Sequence, residues 1–314
     1  MTKNSDYSGL PLLKVQVLRA LGMGRKAPSP YVAAGSGLAK VLGWLHVVAD
    51  DELFLASFRA GRKSPGTSRR LFAGELPDDY SERKDAKPDL EAVVHLPRAG
   101  GKPGYLLAVP SGSRKNRKKG ALIALTATGA ASARIQPIRF GALFKTLRRM
   151  IDGLNIEGAA YEPARLSLFQ RGNAKGSVNM VIELDAQGLL AELLATGKMS
   201  SKRIRSLRQY ELGTLSGVRL CFTDATVLNG NRWFVAAAEA TDDSSEDGEH
   251  RGSLLGVITA GGRLVHLGII DFPHKVEGIA AESEGGRVRL YFVTDADDRK
   301  VRSSLLTLVV DDVR

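Results

Sequence analysis

The sequence contains a single cysteine, Cys221, among its 314 residues. One thiol excludes an internal disulfide and is typical of a reducing compartment. No apolar run approaches the roughly 20 residues that a membrane-spanning helix needs. The first residues also lack the basic-then-apolar order of a secretory signal. We therefore expect a cytoplasmic protein that makes no contact with a membrane.

The sequence is also poor in the motifs of common enzyme classes. Its five histidines are scattered and show no metal-ligand spacing: His46, His95, His250, His266 and His274. There is no G-x-S-x-G elbow, no phosphate-binding loop and no dinucleotide fingerprint. These absences argue against a histidine-ligated zinc centre, an elbow-type serine hydrolase and a nucleotide-loop enzyme.

The charge is unbalanced, since 45 Lys and Arg residues face 34 Asp and Glu residues and give a net charge of +11. A basic surface attracts phosphate backbones. The densest basic runs, 114–119 and 202–205, are not interleaved with the aromatic residues on which single-stranded nucleic acids stack. We therefore do not expect a nucleic-acid partner, and we interpret the charge as a field that attracts small anions.

A short acidic phrase recurs along the chain at 89–93, 155–159, 222–226 and 276–280, and a related phrase without the acid covers 36–41. The carboxylates are Glu91, Glu157, Asp224 and Glu277, with Leu38 in the corresponding place of the fifth phrase. Successive copies are 53, 66, 67 and 53 residues apart. A period of this size predicts a repeat architecture.

Each repeat carries about four short strand-like runs separated by turn residues. Two predicted helices, at 141–154 and 189–196, account for the two longer repeats. The last repeat is one strand short, and an isolated strand at 14–18, with Val15 and Val17 on one face, supplies it. The sequence thus predicts a single all-β domain over 1–314, a five-bladed β-propeller closed by its N-terminal strand. Six blades, or two separate β-domains, are the alternatives.

In a propeller, the first strand of each blade lines the central channel, so the recurring carboxylates should meet at one end of it. Two such charges about 4 Å apart repel by roughly 4 kcal/mol at an effective dielectric constant of about 20. A bound cation would relieve this repulsion, and an all-oxygen ligand set favours Ca²⁺, with Mg²⁺ as the alternative. The carboxylates would also be satisfied by backbone N–H groups of neighbouring blades. Protonation of some carboxylates, or pairing with Arg and Lys side chains of the rim, would relieve the repulsion as well. These interpretations stay open at this point.

The loops after the second strands should return to the same face and add ligand-binding residues. Guanidinium groups there would bind an anionic group in bidentate fashion. The candidates are Arg114, Arg117, Arg171, Asn173, Glu239, Asp242 and Asp295. We expect a module that binds a divalent cation together with a small anionic molecule or a protein partner. The alternative is a metal-dependent hydrolase of an anionic small molecule.

Several phrases between positions 87 and 298 carry a family resemblance: K-P-D-L-E-A, S-G-S-R, N-I-E-G-A-A, Q-R-G-N, F-T-D-A-T, A-A-E-A-T-D, K-V-E-G-I-A and V-T-D-A-D-D. Over nearly the whole chain they resemble a bacterial β-propeller family of unknown function.

The E-G phrase is also similar to that of the calcium-activated nucleotidases (apyrases) and of phytase-like esterase propellers. The nucleotidase resemblance implies a central Ca²⁺ with Glu91, Glu157 and Glu277 as ligands. It also implies that Asp224 stands where those enzymes use a hydroxyl, and that Ser36 is a loose match to their serine.

Overall fold

The N-terminal segment forms two short strands, β1 (Leu12–Lys14) and β2 (Gln16–Ala20). Both belong to sheets whose other strands lie more than 190 residues further along the chain. The computed structural model describes residues 5–240 and 248–313, and within them the remaining strands form five radially arranged blades.

The blades follow one another in chain order. Blade one comprises β3 (Gly35–Val41), β4 (Trp44–Ala49), β5 (Phe54–Arg59) and β6 (Thr67–Arg70). Blade two comprises β7 (Leu90–Leu96), β8 (Tyr105–Pro110), β9 (Lys119–Leu125) and β10 (Ala131–Arg139). Blade three comprises β11 (Ile156–Glu162), β12 (Arg165–Gln170), β13 (Met180–Asp185) and β14 (Ile204–Gln209). Blade four comprises β15 (Thr214–Leu215), β16 (Val218–Leu228), β17 (Asn231–Ala240), β18 (Glu249–Ile258) and β19 (Leu264–Asp271). Blade five comprises β20 (Lys275–Glu284), β21 (Arg287–Asp295), β22 (Ser304–Asp311) and, as its outer strand, β2.

Short helices lie in the connections between strands: α1 (Tyr80–Ala86), α2 (Gly141–Leu147), α3 (Leu189–Thr196) and the 3₁₀ turns Ala99–Gly101 and Ser201–Arg203. The prediction of α3 is confirmed. The helix predicted over 141–154 ends at Leu147, and the apolar residues beyond it, Ile151 and Leu154, are buried without helical structure. Helix α1 was not predicted. No helix in the described ranges is both long and apolar enough to cross a membrane.

The core is divided among the blade interfaces. Among the described residues there are five apolar clusters, and each one joins two neighbouring blades. The interface of blades three and four is built on aromatic rings, with Phe222 packed edge-on against Phe169 and Phe234 at centroid distances of 5.1 Å in both pairs. Helices α2 and α3 add their buried faces to the interface of blades two and three.

The N-terminus closes the ring as predicted, with one refinement. Strand β2 pairs antiparallel with β22, matching Gln16 with Thr307. The predicted strand at 14–18 is split at Val15, and β1 pairs parallel with β19 of blade four, matching Leu12 with Ile269. The N-terminal segment therefore fastens blades four and five together and protects the edges of both sheets. The five-bladed prediction is confirmed.

Every inner strand contains a β-bulge near its start, where the pairing register shifts by one residue. The unpaired residues are Ser36, Glu91, Glu157, Thr223 and Glu277. These five residues occupy equivalent positions in the five blades. In blade one it contains Ser36, two residues before Leu38. In blade four it contains Thr223, one residue before the carboxylate that the sequence phrase emphasised.

Candidate cation-binding site at the channel mouth

Three glutamates from three inner strands meet at one end of the channel. Glu91, Glu157 and Glu277 each offer a carboxylate oxygen, and these oxygens lie within 4.8 Å of one another. The side chains are buried, with exposed fractions of 8%, 4% and 4%. The bulge at each position re-aims the side chain towards the axis, so a shared position in three blades becomes one cluster.

The three carboxylates differ in their partners. Glu157 Oε1 accepts a hydrogen bond from Asn155 Nδ2 at 2.6 Å and lies 3.4 Å from Arg171 Nη1. Glu277 Oε1 lies 3.0 Å from Lys275 Nζ. Among the residues that the structure describes, Glu91 has neither a hydrogen-bond nor an ion-pair partner. A buried charged carboxylate without a partner is costly, so Glu91 is either protonated or neutralised by a cation.

The repulsion expected from the sequence is visible in the protonation equilibria. Burial raises the pKa of Glu91 well above its usual range, and the neighbouring Glu157 and Asp89 raise it further. Burial also raises the pKa of Glu157, to about 7, against the lowering effect of Arg171. A cation between the carboxylates would favour their charged forms and reverse both shifts.

Basic side chains neutralise the surrounding acids but not all of them. Arg171 contacts both Glu157 and Glu239, and Lys275 lies 2.8 Å from Glu239. This chain of pairs connects blades three, four and five. On the other side, Arg117 Nη1 lies 2.9 Å and Lys87 Nζ 3.1 Å from the carboxylate of Asp89.

A count of the buried charged residues around the mouth leaves an excess of negative charge. Six carboxylates face four basic side chains: Asp51, Asp89, Glu91, Glu157, Glu239 and Glu277 against Arg83, Arg117, Arg171 and Lys275. If all of these side chains were ionised, the excess would be two negative charges, and the raised pKa values of Glu91 and Glu157 reduce it.

Asp224 lies outside the glutamate cluster, which corrects the expectation that four carboxylates share one site. Its Oδ2 accepts a hydrogen bond from the backbone N–H of Ile279 at 3.0 Å. Burial raises the pKa of Asp224 well above its usual range, while the N–H groups of Ile279, Ala225, Leu38 and Ala159 lower it. These donors belong to four blades. For this residue the structure therefore matches the second interpretation, a carboxylate held by backbone N–H groups of neighbouring blades.

Asp224 lies outside the cluster because it follows the bulge residue by one position, whereas the three glutamates are themselves bulge residues. Side chains alternate along a strand, so the residue after the bulge points elsewhere. The other blades have small residues at this position: Gly37, Ala92, Gly158 and Gly278. A Cβ atom added at Gly158 would lie 2.9 Å from Asp224 Cα. The channel is narrow here, and one aspartate side chain fills the space that four small residues leave.

In blades one and four the bulge residue carries a hydroxyl group in place of a carboxylate. Ser36 lines the cavity, where its Oγ accepts a hydrogen bond from Asp50 N at 3.2 Å and lies 3.3 Å from Ala34 O. Thr223 Oγ1 donates to Val276 O at 2.8 Å. Sequence reasoning missed Thr223, although the phrase F-T-D contains it, because a bulge leaves no mark in the apolar pattern.

The predicted ligand-binding residues are distributed unevenly. Arg117, Arg171 and Asp295 line the cavity, and burial raises the pKa of Asp295 well above its usual range. Glu239 lies behind them and bridges Arg171 and Lys275.

Two of the remaining predicted ligand-binding residues, Arg114 and Asn173, do not line this cavity. Arg114 pairs with Asp85 on the outer surface. Asn173 is buried, and its Oδ1 has no hydrogen-bond partner among the described residues. Asp242 lies outside the described residues.

Sequence reasoning also missed the contribution of helix α1. Asp79 caps the helix by accepting a hydrogen bond from Glu82 N at 3.0 Å. Arg83 then donates to Asp51 O at 2.7 Å, which fixes the helix beside blade one. Lys87, directly after the helix, contacts Asp50 and Asp89. The seven-residue helix is too short for its periodicity to have been detected in the sequence.

The cavity has a volume of about 120 Å³. A buried water needs roughly 10–15 Å³ of volume on this scale. The space is sufficient for a hydrated ion and a ligand of a few heavy atoms, and its walls are mostly charged.

Comparison with known proteins agrees with this architecture. Residues 31–310 match the family described as "Family of unknown function (DUF6929)", and the chain belongs to that family. No curated protein matches the sequence.

Solved structures share the fold at low identity. The catalytic domain of the Coprinopsis cinerea GH62 α-L-arabinofuranosidase is 10% identical over 96% of this chain and 99% of its own, with a TM-score of 0.51. The Myxococcus xanthus glutaminyl cyclase is 14% identical over 96% and 100%, with a TM-score of 0.48. A luciferin-regenerating enzyme is 13% identical over 95% and 97%, with a TM-score of 0.47. At these identities the likeness concerns the fold alone.

Proposed function

We propose that this protein binds one divalent cation, Ca²⁺ in preference to Mg²⁺, between Glu91, Glu157 and Glu277, and that the ion recruits a small anionic ligand. The observation that carries the proposal is Glu91. It is 92% buried and unpaired within the described residues, and it shares a cluster of oxygens within 4.8 Å with two other glutamates.

The donor set supports the choice of ion. Carboxylate and hydroxyl oxygens are hard ligands, and the cavity walls supply neither His nor Cys. Three glutamates and the Ser36 hydroxyl provide up to four protein positions. Ca²⁺ takes six to eight oxygen ligands in flexible geometry, so water or a ligand would fill the rest. Mg²⁺ requires near-ideal octahedral geometry and gives up its waters reluctantly.

Two guanidinium groups support the anionic ligand. Arg117 and Arg171 are buried beside the cluster, and the Nε of each has no hydrogen-bond partner among the described residues. A carboxylate or phosphate group on the ion would be within the class of partners that a guanidinium fork prefers. The small cavity favours a small molecule over a protein segment.

Calorimetric titration of the metal-depleted protein with CaCl₂ and with MgCl₂ tests the ion. We expect one saturable Ca²⁺ site, weaker Mg²⁺ binding, and at least a tenfold loss of Ca²⁺ affinity in Glu91→Gln. The matched control is Glu211→Gln, since Glu211 is exposed, does not line the cavity and accepts a hydrogen bond from Gln209 Nε2 at 2.6 Å. Absence of Ca²⁺ binding by the wild type, or unchanged binding by Glu91→Gln, would contradict the proposal.

The ligand is tested with the Ca²⁺-loaded protein and small phosphomonoesters and carboxylates. We expect binding that requires Ca²⁺ and that weakens in Arg117→Gln. The same mixtures, followed for product, test the second candidate, a metal-dependent hydrolase. Turnover that stops on chelation would assign that activity. Binding without turnover would support a non-catalytic module.

A further inference from the structure

A second polar cavity lies between blades three and four, away from the channel mouth. It has a volume of about 230 Å³ and is lined by strands β13 and β14, by the starts of β12 and β17, and by the turn Ala260–Gly262. Ser206 and Arg208 on β14, and Tyr210 directly after its end, lie at alternate positions and therefore on one face. This cavity shares no residue with the channel mouth.

Three guanidinium groups contribute to this cavity, from Arg165, Arg208 and Arg232. Only two carboxylates accompany them. Arg232 Nη2 donates to Glu183 Oε1 at 2.8 Å and lies 3.5 Å from Glu162 Oε2. Arg165 lies 3.4 Å from Glu162 and 3.7 Å from Glu183. When all are ionised, these three guanidinium groups and two carboxylates together carry a net charge of +1.

Arg232 has unused hydrogen-bonding capacity. The residue is 6% exposed, and its Nε has no hydrogen-bond partner within the described residues. Buried N–H groups are nearly always satisfied in native proteins. Arg232 therefore carries an unpaired donor in a residue that lines the cavity.

Arg208 is held in place by packing and without a counter-charge. Its guanidinium lies 5.1 Å from the centroid of the Tyr210 ring, and in the described chain it has no ion-pair or hydrogen-bond partner. The other side contacts the turn at Gly262, which has a φ of +81° and where a Cβ atom would lie 2.2 Å from Nη1. Glycine therefore adopts the positive φ without strain, and its missing side chain leaves room for the Arg208 guanidinium. A guanidinium stacked in this way is pre-organised for an anion.

We propose that this cavity, defined by Arg208, Tyr210 and Arg232, binds a small tetrahedral oxyanion, with phosphate as the physiological form. Guanidinium forks match the geometry of phosphate oxygens. Tyr210 also lines the cavity, and its hydroxyl is an additional donor, whereas the Ser206 hydroxyl donates to Glu183 Oε2 at 3.5 Å. The proposal does not depend on the cation site at the channel mouth.

The test is a titration with inorganic phosphate, followed by calorimetry and by thermal unfolding, in the presence of a chelator so that the channel mouth holds no divalent ion. Sodium chloride at matched ionic strength is the reference. We expect saturable binding and a rise in melting temperature that chloride does not produce. Sulfate, which has the same shape, should compete.

Three variants locate the site. Arg208→Gln should lower phosphate affinity at least tenfold, and because the side chain is exposed the fold should persist. Tyr210→Phe keeps the ring and should lower affinity several-fold. Arg205→Gln is the matched control, since Arg205 lies on the same strand, points to the other face and pairs with Asp185. The Arg205→Gln protein should bind phosphate with the affinity of the wild type. A wild type that responds to phosphate and chloride alike would overturn the proposal. So would an Arg208→Gln protein that binds phosphate as the wild type does.

Discussion

Removing the charge of Glu91 should stabilise the metal-free protein while abolishing its response to Ca²⁺. The carboxylate oxygens of Glu91, Glu157 and Glu277 lie within 4.8 Å. At an effective dielectric constant of about 20, one such pair repels by at least roughly 3.5 kcal/mol if both members are charged. Protonation relieves part of this, because burial and the neighbouring acids raise the pKa of Glu91 well above its usual range.

The sign of the pH dependence follows from that shift. A carboxyl group whose pKa is higher in the folded than in the unfolded protein contributes stability below its unfolded pKa of about 4.3. The contribution is lost as pH rises towards the folded value. The metal-free wild type should therefore lose stability from this source as pH rises above about 4.3. Glu91→Gln, which cannot ionise, should lose less.

The measurement is thermal unfolding of both proteins at pH 8, first with chelator and then with saturating Ca²⁺. In chelator we expect Glu91→Gln to be more stable by about 1–3 kcal/mol, a rise in melting temperature of a few degrees. Ca²⁺ at about 100 times its dissociation constant should stabilise the wild type by roughly 2.7 kcal/mol and the variant by much less. The order of the two melting temperatures should thus reverse. A Glu91→Gln protein that is less stable than the wild type in chelator would refute the reasoning, since it would show that the carboxylate stabilises the metal-free fold.

Three further predictions concern the scaffold. Asp224→Ala should destabilise the fold by about 3 kcal/mol or more, because it leaves buried N–H groups from several blades without an acceptor; chemical denaturation measures this, and an unchanged midpoint would contradict the role given to Asp224. Deletion of residues 1–20 should lower the melting temperature sharply, because it exposes the edges of β19 and β22; a truncated protein that melts with the full-length one would disprove the closure. His46 is buried between Ser57 Oγ at 2.8 Å and Gly129 O at 3.0 Å, and burial lowers its pKa to about 4. Because His46 resists protonation in the folded protein, the free energy of unfolding should fall by about 3 kcal/mol in total as pH falls from about 6.5 to 4. Denaturation midpoints of the wild type and of His46→Gln at pH 7 and 4.5 measure this loss. Equal pH dependence of the two proteins would contradict the prediction.

Much of the architecture could be predicted because it depends on local pattern and counting. The recurring phrase and the missing fifth-blade strand were enough for the number of blades and for closure by β2. Once a ring is assumed, equal positions in the repeat must share a height along the axis. That symmetry placed Glu91, Glu157 and Glu277 together although they are up to 186 residues apart.

The remainder depends on contacts that no local pattern encodes. The bulges shift each inner strand by one residue, so the structure places Thr223 at the bulge position of blade four and Asp224 one residue further along the strand. Side-chain alternation turns such a one-residue shift into a change of face.

The sequence alone therefore determined a five-fold β ring with acidic residues at the starts of its inner strands. Only the tertiary structure decided which acids receive partners. Lys275 pairs with Glu277 and Arg171 pairs with Glu157, whereas no described residue pairs with Glu91. The anion cavity between blades three and four is likewise a tertiary product, since Arg208 and Arg232 belong to different blades. Charge compensation acts over a few ångströms in space, and the packing of the blades sets those distances.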